Sequence, residues 1–131
     1  MPHTITLIRL LVRDQDQALD FFTGALRFRL REDSGAQGAG PRWLVVEPPG
    51  GGAGLLLSQA QDEQDLALVG RQGGAGVLLI LGSSDFRADY QHMQSAGVRF
   101  LEAPREEVYG TVAVFEDVCG NRWDLIQRAR A

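Results

Sequence analysis

Apolar and polar positions along the chain switch between a period of two and a helical period, and the switches predict the elements. Residues 4–12 are nearly continuously apolar, which suits a strand buried on both faces. Asp14 then offers an N-cap, with Gln17 three residues on. Ala18, Leu19, Phe22 and Ala25 follow at helical spacing, and Gly24 weakens the last turn. Residues 27–31 set Phe28 and Leu30 between arginines, the alternation of a half-exposed strand. Residues 34–40 are rich in Gly and Ala and read as a loop. A strand over 42–47, with Trp43 at its start, is closed by the prolines and glycines of 48–52, and a short strand over 54–58 ends the first half.

Residues 59–76 are polar and Gly-rich around Leu66, Leu68 and Val69, where one helical turn is expected. The order then restarts. Residues 77–81 form a strand, and Ser83 or Ser84 caps a helix with Phe86, Tyr90 and Met93 on one face. Gly97 takes the position after that helix, where a left-handed backbone is needed. Residues 98–101 form a strand, and a loop runs through Pro104. Residues 109–126 read as strand, turn, strand, with Gly120 or Asn121 in the turn. On the last strand Arg122 and Asp124 share one face, and Trp123 and Leu125 share the other. Two charges on an apolar strand either line a wet cavity or face solvent.

The halves echo each other. Gly-Ala-Leu-Arg-Phe28 and Ala-Gly-Val-Arg-Phe100 each close a helix and open a strand. Such a repeat predicts an α+β fold of two βαβββ modules, residues 1–60 and 76–131, joined by a linker over 61–75.

The last hairpin also carries a signature. Phe115, Asp117, Gly120, Asn121, Asp124 and Leu125 fall in the register Phe-x-Asp-x-x-Gly-Asn-x-x-Asp-Leu. This resembles the vicinal oxygen chelate superfamily of glyoxalase I, extradiol dioxygenases and bleomycin-type antibiotic-binding proteins. Residues 12–22 are similar to that family's first helix. The resemblance covers nearly the whole chain. It implies one domain over 1–131, a cup-shaped mixed sheet and a homodimer.

Composition narrows the function. The 131 residues suffice for one domain with a core, and 44% hydrophobic with 23% charged residues is ordinary for a globular protein. A net charge of −4 argues against nucleic acid as a partner. No apolar run approaches the roughly 20 residues that span a membrane. No leader segment is read, and the single cysteine excludes an internal disulfide, so a cytoplasmic location is expected.

The resemblance also says where a metal would sit. In the family's metalloenzymes the ligands lie on the first and last strand of each module. Those positions fall at Leu7, Leu56, Val77 and Asp124, and only Asp124 is a metal-binding type. Same-face neighbours Ile5, Arg9, Leu11, Gly54, Ser58, Leu79 and Leu81 supply neither imidazole nor carboxylate. Asp124 is expected to pair with Arg9 or Arg122 instead.

Other chemistries have ordinary explanations at hand. His92 reads as a solvated helix histidine, Cys119 as a turn residue, and Tyr109 either as a hydrogen-bond donor or as a packed aromatic. No catalytic residue, metal or cofactor is expected. The expected site is an apolar lining of Leu7, Leu56, Val77 and Leu79. Arg9, Ser58, Arg122 and Asp124 add polar groups to it, with Trp43 and Tyr109 as aromatic walls. The competing account is that the leucines simply fill a barrel. The expected function is metal-independent binding of a small organic molecule, of the bleomycin-resistance type. The alternative is a metal-dependent lyase, isomerase or dioxygenase of the same superfamily.

Overall fold

The computed structural model describes residues 1–35 and 41–130, so most of the predicted loop over 34–40 lies outside the described residues. The chain forms two compact units, Met1–Val69 and Gly70–Ala131. Each carries one mixed sheet with helices, the α+β class expected.

In the first unit the order is β1 (Leu7–Val12), α1 (Gln15–Asp20), β2 (Arg29–Asp33), β3 (Leu44–Glu47), β4 (Gly54–Gln59) and α2 (Glu63–Leu68). Asp14 caps α1 by accepting from the Gln17 N–H at 3.1 Å. The helix then widens into a π-helical turn over Phe21–Ala25, which contains the weakening Gly24. The sheet order is β1-β4-β3-β2, with β1 parallel to β4 and the other pairs antiparallel. Register sorts its side chains. Leu10, Leu55, Leu57 and Val46 share one face and are almost fully buried, as are Ala18 and Phe22 of the helical segment. β1 begins at Leu7 rather than Thr4, and Trp43 precedes β3 rather than opening it. The expected single turn near Leu66 is the six-residue helix α2, capped by Asp62.

In the second unit the order is β5 (Leu79–Gly82), α3 (Phe86–Ser95), β6 (Arg99–Phe100), β7 (Arg105–Glu107), β8 (Gly110–Glu116) and β9 (Arg122–Arg128). Asp85 caps α3 through the Ala88 N–H, in place of the expected serines. Ser83 instead accepts from the Asp85 N–H and donates to Asp89. The sheet order is β5-β9-β8-β6, and the unforeseen strand β7 also pairs with β8. Partnered residues point the same way, so Phe115, Trp123, Ala113, Leu125, Leu79 and Leu81 share a face. Aromatic rings tie that face to α3. Tyr90 meets Phe100 at 4.5 Å, Phe100 meets Phe115 at 5.7 Å, and Phe115 stacks on Trp123 at 5.7 Å.

The β8–β9 turn is held by Asp117. Its buried carboxylate accepts from the N–H groups of Cys119 and Asn121, the Asn121 amide and the Trp123 indole. Burial pushes its carboxyl above the ordinary value despite those donors. Gly70 packs against this turn at φ 78, and a Cβ there would lie 2.3 Å from the Cys119 carbonyl oxygen. Only glycine fits that approach.

Candidate functional site

Each sheet has a second face, and the two faces differ in chemistry. In the first unit that face carries Leu7, Arg9, Leu11, Gly54, Leu56, Ser58 and Val45. Leu11 and Val45 are buried, Leu7, Leu56 and Ser58 half-buried, and Arg9 exposed. The expected grouping of Leu7, Arg9, Leu56 and Ser58 on one face is what the register gives. Arg9 donates from Nε to Ser58 Oγ at 3.2 Å. Arg31 also reaches this face, because its guanidinium comes within 3.2 Å of where a Gly54 Cβ would be. Glu47 pairs with Arg29 at 3.2 Å and with Arg31 at 3.9 Å.

In the second unit the face turned away from α3 carries Ile80, Val112, Val114, Asp124 and Ile126. Arg105 of β7 joins it through its register with Val112. Arg105 is held firmly. Its Nε donates to both Glu102 oxygens, at 2.8 and 3.1 Å, and a terminal nitrogen donates to Glu107 at 3.1 Å. The Glu102 carboxylate also accepts from the Val114 N–H at 3.1 Å, which fixes it over β8. Hydrogen bonding to Glu102, helped by Tyr109 and Glu107, holds the Arg105 guanidinium charged.

Asp124 stands half-buried on this face among Val114, Ile80 and Ile126. Its carboxyl is pushed above the ordinary value, chiefly by burial; Arg105 opposes the shift and Glu102 adds to it. The expected partners are corrected. Arg9 is engaged with Ser58, and Arg122 donates to the Ala75 carbonyl at 3.4 Å. Among the described residues no arginine forms a salt bridge with Asp124; the nearby cation is Arg105.

The set Val77, Leu79 and Leu81 is corrected too. Leu79 pairs with Trp123 and Leu81 with Leu125, so both point to the α3 side, opposite Asp124. The exposed Ile80 takes the Asp124 side. Val77 precedes β5 and is half-buried. Trp43 and Tyr109 are exposed by 44% and 45%, as wall residues would be, and Tyr109 sits in the β7–β8 turn beside Arg105. Glu102 and Arg105 are absent from the expected site because the sequence after the strand at 98–101 reads as a loop through Pro104. Arg105, Glu106 and Glu107 are all charged, so no apolar alternation marks them as a strand.

The donors do not suit a metal ion. Leu7 and Leu56, where the family resemblance implies first-unit ligands, are apolar, and Asp124 feels the positive charge of Arg105. Among the described residues no three His, Cys, Asp or Glu side chains group so as to hold one. Among the described residues no helix is long and apolar enough to cross a membrane.

The family model of the Glyoxalase/Bleomycin resistance protein/Dioxygenase superfamily matches residues 3–125. The chain belongs to that superfamily. A relative from Shewanella frigidimarina, an uncharacterized protein, is 45% identical over 97% of this chain and 95% of its own length. YurT of Bacillus subtilis, also uncharacterized, is 29% identical over 95% of this chain and 98% of its own. Among solved structures of the superfamily's fold, UcmS2 superposes with a TM-score of 0.82 at 29% identity, covering 96% of this chain and 98% of its own. TnmS3, an antibiotic binding protein from Streptomyces sp. CB03234, superposes with a TM-score of 0.77 at 29% identity, covering 98% of each chain.

Proposed function

We propose that this superfamily member binds a small organic molecule, an antibiotic or a metabolite, and sequesters it without metal and without turnover. The observation that carries the reading is the second-unit face. A single half-buried carboxylate, Asp124, stands there among Val114, Ile80 and Ile126, beside an arginine fixed by two glutamates. Apolar walls with a few fixed polar groups suit a small-molecule site. One carboxylate with an arginine nearby suits hydrogen bonding to a ligand better than gripping a cation. The similarity to the antibiotic binding protein TnmS3 supports the same reading.

On this reading Asp124, Arg105 and Tyr109 are the ligand contacts of the second unit's face; the first unit's own face offers Leu7, Arg9, Leu56 and Ser58 as candidate contacts. Trp43, Val77 and Arg122 are rim positions. Leu79 contributes only packing behind the face. We take the protein to act as a homodimer in the cytoplasm, with its two units in one superfamily domain. Exposed Ile5, Ile80 and Val108, at 73%, 69% and 96%, favour a covered surface in the assembly. Sedimentation giving a monomer at micromolar concentration would contradict the dimer.

The test of function is a thermal-melt screen of small organic compounds that includes antibiotics, followed by recovery of the bound compound. A true ligand stabilises by about 2.7 kcal/mol at a hundred times its dissociation constant. It comes back chemically unchanged. Conversion of the compound into a product would overturn the reading.

A further inference from the structure

The other face of the second sheet ends in a polar groove separate from the Asp124 face. Register sets up its floor. Glu106, Thr111 and Gln127 lie side by side across β7, β8 and β9. The next two rows on that face, Ala113 with Leu125 and Phe115 with Trp123, are apolar and fully covered. The sheet therefore changes from core to polar surface at this row. Gln127 is fixed, accepting from the Phe86 N–H at 2.8 Å and donating to the Ser84 carbonyl at 3.1 Å. The groove above the row has a volume of about 450 Å³, within the range of small-molecule sites.

Its lining carries both charges. Arg87, Tyr90, Gln91 and Gln94 form one stripe of α3 along the groove. Glu106 of the floor and Pro104 also line the groove. Glu106 accepts from the Thr111 hydroxyl at 3.0 Å, which holds its carboxylate in place. Among the described residues neither Arg87 nor Glu106 belongs to a salt bridge. The Tyr90 oxygen accepts from the Gln94 amide at 3.0 Å, which leaves its own O–H as a further donor. A cation and an anion lining one groove, with a phenol and carboxamides beside them, complement a small molecule bearing both charges.

We propose that this groove binds a free α-amino acid. Its carboxylate meets the Arg87 guanidinium, and its ammonium meets the Glu106 carboxylate. Tyr90 and the glutamine amides contact its side chain. The site is independent of the one on the Asp124 face.

The test is an amide chemical-shift titration of the full chain with the common L-amino acids, one at a time. At least one should move the amides of Arg87, Gln91, Glu106 and Thr111 in a saturable way and leave that of Asp124 in place. Arg87→Ala and Glu106→Gln, both changes of exposed side chains, should each weaken binding at least about tenfold, the usual scale for losing a charge-assisted contact. The N-acetyl amide of the same amino acid, which lacks both charges, should not bind. The proposal is overturned if no amino acid moves the groove amides, if the variants bind unchanged, or if the blocked form binds as well as the free one.

Discussion

Trp123→Ala tests the register of β9, on which the placement of Asp124 depends. The Trp123 side chain is buried, at 2% exposure, and stacks on Phe115 at 5.7 Å with 27° between the rings. Its indole N–H donates to the Asp117 carboxylate at 3.0 Å. Removing a buried aromatic costs about 3–5 kcal/mol through lost transfer energy and the cavity left behind. Taking a donor from a buried carboxylate costs about 1.5–3 kcal/mol more, although the two losses overlap. We expect a total of about 4–6 kcal/mol, comparable with the whole stability of many domains. Trp123→Phe keeps much of the stacking and loses the donor, so it should cost about 1.5–3 kcal/mol and stay folded. Urea denaturation followed by far-ultraviolet circular dichroism measures both, and avoids confusion with the remaining Trp43. A loss below about 1 kcal/mol for Trp123→Ala would mean that Trp123 faces outward and Asp124 inward to α3, refuting the register argument.

Further outcomes follow from the same structure. Gly70→Ala should destabilise by roughly 2–4 kcal/mol in chemical denaturation, because a positive φ and a collision with the Cys119 carbonyl act together. Burial raises the Asp117 carboxyl above 3.8, so the folded state holds that proton more tightly than the unfolded one. Its stabilising contribution is complete below 3.8 and lost as pH rises through the raised value; the difference between wild type and Asp117→Asn in urea midpoints should show that trend. Asp33 behaves in the opposite sense. Arg42 grips it at 2.9 and 2.7 Å and lowers its carboxyl, so its contribution is present above 3.8 and lost on acidification. An Asp33→Asn variant should show less acid sensitivity than wild type over that range. Arg105→Ala should weaken ligand binding by about 1.5–3 kcal/mol in calorimetry while leaving the fold intact, if the fixed guanidinium meets the ligand.

The modules were legible because their cues are local. Helical spacing of Ala18 and Phe22, the Asp14 cap and the breaker run over 48–52 each act within a few residues. The alternation of Trp123 and Leu125 against Asp124 was equally plain. What escaped depends on pairing. A parallel strand's facing is set by its partner, and β5 takes its register from β9, forty residues on in the chain, so Leu79 fell on the wrong side. β7 has only three residues, Arg-Glu-Glu, and no apolar pattern to announce it. Without β7, Arg105 had no reason to stand near Asp124. The nearby cation was therefore sought among Arg9 and Arg122, which looked plausible by strand alternation alone.

The central claim is that this superfamily member holds an organic ligand through Asp124 and needs no metal. Thermal melts of wild type and Asp124→Ala measure it most directly, with zinc, nickel, manganese or iron(II) in one arm and the organic screen in the other. The account predicts that no ion raises the melting temperature of the wild type. It predicts that at least one organic compound does, and that Asp124→Ala abolishes that rise. One divalent ion per chain that stabilises the wild type and not Asp124→Ala would contradict it and make the protein a metalloenzyme candidate.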